Sequence, residues 1–299
     1  MCLKLTRKNI SLLAIMILFF ACEQSDKISQ NQSVMFTFPY NLQEPDSVYK
    51  LPPILKEISA LTMTQDNKLI CLQDEDAVIF TYNLDTNMIT NRVLFGKSND
   101  FEGIETVGES VYILQSNGTI QEINNLGEEN QEITIYKNFL SRKNDAEGLG
   151  YDAETNSLLI ACKGKAGEGK IMNGKKAIYR FDLGTKKLQS EPIILFNKQD
   201  LYNYIESNNL KKLSFKLKKK IPFNPSGIAV KDGFYYTIAS IGNMLVVTDK
   251  VGNIQYVSPI DKGFLPKPEG ICFDENNRLI IASEAKNGSG RIAVFNPIY

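Results

Sequence analysis

Three short phrases place a glutamate directly before a glycine at the head of an apolar run: "NDFEGIETVGESVYILQS" with Glu102, "NDAEGLGYDAETNSLLIACKGKAG" with Glu147 and "KPEGICFDENNRLIIASE" with Glu269. Aligned on that glutamate, two further copies fall into register, "KEISALTMTQDNKLICLQDE" with Ser59 and "NPSGIAVKDGFYYTIASIGN" with Ser226 at the same position. Every occupant is an oxygen donor. Three carboxylates brought to one point repel unless they are protonated or bridged by a cation. Calcium resolves that conflict, because it accepts about six to eight oxygen ligands in flexible geometry. Glu102, Glu147 and Glu269 are therefore the candidate metal ligands. The competing assignment is turn punctuation, with glycine allowing a tight backbone and glutamate accepting from neighbouring amides.

The 299-residue chain has no histidine and no tryptophan. That removes Ser-His-Asp and Cys-His nucleophilic machinery, histidine-based zinc sites and any imidazole base. Chemistry here must use carboxylates, lysine, tyrosine or a hard cation held by oxygens. Lys+Arg and Asp+Glu both number 34, so no global field draws the chain to nucleic acid, and no nucleic-acid partner is expected. Apart from Cys2 and Cys22, the cysteines are Cys71, Cys162 and Cys272, each inside an apolar run. They read as buried free thiols rather than a disulfide framework.

The five aligned positions are spaced by 43, 45, 79 and 43 residues, a unit of a little over 40 residues with one long insertion. Periods of this size with several short strands mark propeller blades. In each copy a strand follows the aligned pair, E-G or S-G in four copies and Ser59-Ala60 in the first, then a turn such as "TQDNK", "VKDG" or "DENNR", then a second apolar strand such as "LICL" or "LLIAC"; the turn residues carry hairpin chemistry. Two more strands follow. The reading is all-β, a five-bladed β-propeller of four-stranded antiparallel blades, with six blades as the alternative. The last copy is one strand short, and "SVMFTFPY" at 33–40 is the segment expected to close it as the outer strand and remove the open edges. Residues 197–221 fit no blade: helix-like spacing of Leu201, Tyr204, Ile205 and Leu210, then a basic edge strand with Lys211, Lys212, Lys216, Lys218, Lys219 and Lys220, read as an insertion between blades three and four. The lysines are either a solvated edge or a contact with anionic lipid or glycan.

In a propeller the innermost strands line the axis, so residues after the second strand of each blade open on the same face as the aligned position. These are Asp74, Glu75, Lys163, Ser240 and Glu284. With Ser59 and Ser226 they are the candidate rim and ligand-binding residues. Lys163 either neutralises Glu147 or holds the phosphate or carboxylate of a ligand bound on the ion.

From about Lys56 to the C-terminus, the phrases around Glu102, Glu147 and Glu269 and "FNPSGIAV" resemble, in order and spacing, the SdiA-regulated (YjiK-like) β-propeller family. The resemblance implies a five-bladed propeller distantly similar to NHL-repeat proteins with a calcium site on its axis, where Glu102, Glu147 and Glu269 fall on the axial motif. It implies no established biochemical role.

The first residues carry Lys4, Arg7 and Lys8, then "ISLLAIMILFFA", then Cys22. This is the pattern of a lipoprotein signal peptide over 1–22 with Cys22 as the lipidated residue; an uncleaved anchor helix is the alternative. Residues 23–33 are polar and aperiodic, a flexible tether, leaving 34–299 as a single propeller domain. The expected protein is an exported monomer, lipid-anchored to the outer membrane or the periplasmic membrane face of the cell envelope. Two functions fit: a module that binds or senses a small molecule or an envelope protein, or a calcium-dependent hydrolase of phosphomonoesters or lactones.

Overall fold

Each repeat becomes a sheet because its apolar runs are short, rich in β-branched and aromatic residues, and separated by residues that accept positive φ. The five inner hairpins turn on Asn67, Gly108, Asn156, the Asp232-Gly233 pair and Asn277, all at positive φ. The structure, a computed structural model, describes residues 36–210, 213 and 223–298.

Strand β1 (Ser47–Lys50) precedes the first repeat. Blade one is β2 (Ile58–Met63), β3 (Leu69–Gln73), β4 (Val78–Asn83) and β5 (Met88–Leu94). Blade two is β6 (Phe101–Val107), β7 (Ser110–Gln115), β8 (Ile120–Asn124) and β9 (Glu132–Tyr136). Blade three is β10 (Ala146–Asp152), β11 (Ser157–Cys162) and β12 (Lys176–Asp182), with its outer edge split between β13 (Lys187–Leu188) and β14 (Ile194–Phe196). Blade four is β15 (Asn224–Lys231), β16 (Phe234–Ile241), β17 (Met244–Thr248) and β18 (Ile254–Pro259). Blade five is β19 (Lys267–Phe273), β20 (Leu279–Glu284) and β21 (Arg291–Phe295), with β1 as its outer strand. The inner strands contact one another in the order β2, β6, β10, β15, β19 and back to β2. Five blades close the ring, and the six-blade alternative falls.

The apolar core is divided among the blade seams. Leu72, Ile79, Ile104 and Ile113 fill the seam between blades one and two, Leu114, Leu149 and Leu158 the next, and Ile238, Leu245, Ile271 and Ile281 the seam between blades four and five. Each fully buried aliphatic side chain contributes about 1.5–3 kcal/mol. Cys71, Cys162 and Cys272 are buried and free, as the sequence indicates; burial pushes the Cys71 and Cys162 thiols up to about 12. Between blades three and four, helix α1 (Lys198–Ser207) starts at Asn197, whose side chain accepts from the Gln199 amide, and buries Leu201 and Ile205. The Tyr204 hydroxyl donates to the Gln255 carbonyl at 2.7 Å, tying the helix to β18. The basic segment expected to follow as an edge strand, with its lysine cluster, lies outside the described residues, as do the signal segment with Cys22 and the tether.

One element differs from the sequence reading. The outer strand of the last blade is β1, paired antiparallel with β21 from Ser47 opposite Val294 to Lys50 opposite Arg291, not the segment 33–40. The alternation of Phe36, Phe38 and Tyr40 mimics a strand, but Pro39 offers no amide to a ladder. Their rings serve the seam of blades four and five instead: Phe36 packs edge-on against Phe234, and Phe38 stacks on Tyr256 with centroids 4.2 Å apart. Tyr40 is buried, and its hydroxyl donates to the Asn277 carbonyl at 2.7 Å.

A chain beginning at Phe36 is therefore expected to melt cooperatively, whereas one beginning at Leu51 loses both the aromatic seam and the closing strand. Tyr40→Ala alone is expected to cost roughly 3–5 kcal/mol. Chemical denaturation of the three proteins is the check, and equal midpoints for the two truncations would contradict this role for residues 36–50.

Candidate functional site

The repeated position lies inside the inner strand rather than ahead of it, and in all five blades it is the extra residue of a β-bulge. Phe101 faces Gln115 and Gly103 faces Leu114, leaving Glu102 unpaired between them. The same interruption isolates Ser59, Glu147, Ser226 and Glu269. A bulge re-aims one side chain out of the pleat. Glu102, Glu147, Ser226 and Glu269 thereby line a common axial cavity of about 10 Å³, on the order of one water molecule. The glycine that follows is there for close approach. A Cβ on Gly103 would stand 2.7 Å from the Leu149 Cβ, and one on Gly227 2.6 Å from the Glu269 carbonyl oxygen.

Glu147 and Glu269 are only 4% and 5% exposed. Each has one oxygen on a lysine: Lys163 donates to Glu147 Oε1, and Lys267 Nζ lies 3.1 Å from Glu269 Oε1 while also donating to Glu284. Their other oxygens are buried without a hydrogen-bond partner, as are Ser59 Oγ, Asp74 Oδ1 and Ser240 Oγ. No lysine or arginine pairs with Glu102 among the described residues. Burial, followed by the charges of Glu147, Asp100 and Glu269, pushes Glu102 up to about 9. Burial and the Glu269 charge raise Glu147 to about 8 against the pull of Lys163, and burial raises Glu269 to about 7 against Lys163 and Lys267. Burial opposes the charge on Lys163, but Glu147 and Glu269 outweigh it and hold the ammonium above its usual range. Of the three, Glu102 is raised furthest and has no ammonium partner among the described residues.

The rim candidates divide. Burial and then the Glu57 charge raise Asp74 to about 6, with Glu284 and Glu75 adding to the shift; Glu75 itself is exposed and acts on the mouth only through its charge. Ser226 is not a free donor, since its hydroxyl donates to the Pro268 carbonyl at 2.7 Å and accepts from the Ser240 amide at 3.0 Å, locking blade four to blade five. Lys163 takes the neutralising role rather than standing free. Lys267 escaped the sequence reading, although its place two residues before Glu269 in "KPEG" was a signal. Asp100, which accepts from Ser116 Oγ and bears on Glu102, escaped it too. Three carboxylates thus share one axis, but among the described residues no three His, Cys, Asp or Glu side chains stand together as a preformed metal-binding group. The donors suit a hard cation in kind, while two lysines hold them in its place.

Fold and site define a β-propeller protein with an acidic, lysine-buttressed axial mouth. No protein-family model matches the chain, and no curated protein matches it by sequence. Among solved structures it is similar to the glutaminyl cyclase of Myxococcus xanthus, with a TM-score of 0.53 at 11% identity over 86% of this chain and 97% of that one. It is also similar to a luciferin-regenerating enzyme, with a TM-score of 0.49 at 10% identity over 86% and 98%. A third is the virginiamycin B lyase of Staphylococcus aureus, with a TM-score of 0.43 at 16% identity over 84% of this chain and 69% of that one. At such identities the likeness is one of fold.

A carboxyl whose folded pKa is raised binds its proton more tightly in the fold, so stability falls as pH climbs from the unfolded pKa to the folded one. For Glu102 that window runs from 4.5 to about 9. In chelator, Glu102→Gln is expected to melt like wild type at pH 4 and at a higher temperature at pH 8. Calorimetry of both proteins across the range is the check; a difference that does not grow with pH would contradict a half-buried Glu102 whose pKa is raised.

Proposed function

We propose that this chain is a binding or sensing module of the cell envelope, an exported and lipid-anchored propeller of the SdiA-regulated type whose axial mouth holds calcium. The observation that carries the cation is the orphaned pair of buried oxygens, Glu147 Oε2 and Glu269 Oε2, beside Glu102 on one axis. Unpaired buried acceptors are costly, and a hard cation coordinated by oxygen satisfies them. The "ISLLAIMILFFAC" segment supports export and lipidation at Cys22, and the order and spacing of the E-G phrases support the family.

Calcium binding must compete with two ammonium groups. Glu147 and Glu269 turn fully to the ion only if Lys163 and Lys267 yield, and Glu102 must release its proton. Affinity is therefore expected to rise with pH. The module stands ahead of a calcium-dependent hydrolase of phosphomonoesters or lactones because the axial space of about 10 Å³ admits an ion but no scissile group within the ring of carboxylates. No histidine is present to shuttle a proton.

Calcium at about 100–1,000 times Kd is expected to add roughly 3–4 kcal/mol to stability over chelator. Two variants move the affinity in opposite directions: Glu147→Gln weakens calcium binding by roughly tenfold or more, and Lys163→Met strengthens it by removing the competing charge. Titration calorimetry with thermal melting tests all three, and identical melting of the wild type in calcium and in chelator would sink the axial cation. Phosphomonoester or lactone turnover by the wild type that Glu147→Gln abolishes at saturating calcium would favour the hydrolase.

A further inference from the structure

Beside the axial mouth, a cavity of about 450 Å³ opens between blades four and five, lined by residues that include Ser240, Asn243, Lys262, Lys267, Glu284 and Lys286. We infer that it binds the phosphate or carboxylate group of a small anionic molecule. The inference extends the binding-module reading to a ligand class and needs no ion on the axis.

Charge points to an anion. Three lysines face one glutamate, and that glutamate already accepts from Lys267, which also pairs with Glu269. Lys262 and Lys286 are exposed and have no carboxylate partner among the described residues. They supply two uncommitted ammonium groups to one concavity, the arrangement that charge-assisted hydrogen bonds to an acid group require. A polar wall residue lies deeper. Ser240 is 6% exposed, and its hydroxyl has no partner although its amide is spent on Ser226 Oγ.

The walls are held before any ligand arrives. Asn243, 2% exposed and at positive φ in the β16–β17 turn, donates from Nδ2 to the Leu265 and Pro266 carbonyls at 3.1 and 3.2 Å. The facing loop folds on Asp261, whose carboxylate accepts from the Gly263 amide at 2.7 Å, and Arg291 donates to the Gly263 carbonyl at 2.5 Å. A preorganised pocket loses less on binding, and this volume suits a small metabolite rather than a polymer. The comparable cavity on the opposite face, about 410 Å³ between blades five and one, holds two cations that are both paired, Arg278 with Asp274 at 2.6 Å and Lys68 with Asp66 at 2.5 Å.

Glucose 6-phosphate and glucuronate are the anionic probes and glucose the neutral control, each titrated calorimetrically into the full propeller in chelator and again in calcium. Both anions are expected to bind in either buffer and glucose in neither. Lys262→Ala and Lys286→Ala should each weaken the anions about tenfold, with Lys187→Ala, exposed on blade three, unchanged. Rising salt should weaken binding further. Absence of heat from both anions up to about 10 mM, or lysine variants that bind like wild type, would overturn the inference. So would binding seen only with calcium, because the rim pocket would then depend on the axis. Anion binding that persists where calcium binding fails supports the rim pocket and removes the axial cation alone.

Discussion

The inner strands come so close at the axis that a single added Cβ on Gly103, Gly148, Gly227 or Gly270 would meet a neighbouring strand at 2.6 to 3.0 Å. That crowding governs the site. It demands the smallest residue on each inner strand, met by glycine in four blades and by Ala60 in the first. It also demands that the preceding side chain leave the pleat, which the five bulges accomplish. Removing the glycine would push the blades apart, and removing the bulge would return the carboxylate to the sheet.

Bringing three carboxylates to that axis creates an electrostatic problem that the fold answers in two ways. Lys163 and Lys267 come from strand ends in different blades and compensate Glu147 and Glu269. Glu102 has no such partner, and burial with the charges of its neighbours pushes it up to about 9. The result is a mouth in which protons, ammonium groups and any added cation compete for the same oxygens. The calcium proposed for this mouth would enter that same competition, which would couple the ion to pH through one set of residues.

Away from the axis the seams carry polar clasps as well as apolar packing. Lys186, reached from blade three, donates to both Glu122 oxygens at 2.8 Å and to the Tyr112 hydroxyl at 2.9 Å, while Tyr136 donates to the same carboxylate at 2.6 Å. Asp152 of blade three accepts from the Tyr235 hydroxyl of blade four at 2.8 Å and pairs with Lys250 at 3.4 Å. A buried carboxylate supplied with several donors retains its charge, and each clasp fixes the angle between two blades. With β1 closing the last blade, these contacts hold the mouth and its rim pocket in register.

The repeat of the aligned position, its period and the turn residues after it pointed to five blades, to the inner strands of each and to the three axial glutamates, because local spacing and turn chemistry are written along the chain; closure of the ring removed the six-blade alternative. The alternation in "SVMFTFPY" pointed to that segment as the one that closes the last blade. The tertiary structure overturned it: Phe36, Phe38 and Tyr40 pack against rings of blades four and five, and Ser47–Lys50 pairs with β21 instead. Likewise the sequence placed Lys163 near Glu147 but could not show that Lys267 clamps Glu269 and Glu284 together, that Ser226 is spent on a backbone carbonyl, or that Lys262 and Lys286 are left free over a preformed cavity. Those outcomes depend on distances between residues of different strands and blades, and such distances exist only once the ring has closed.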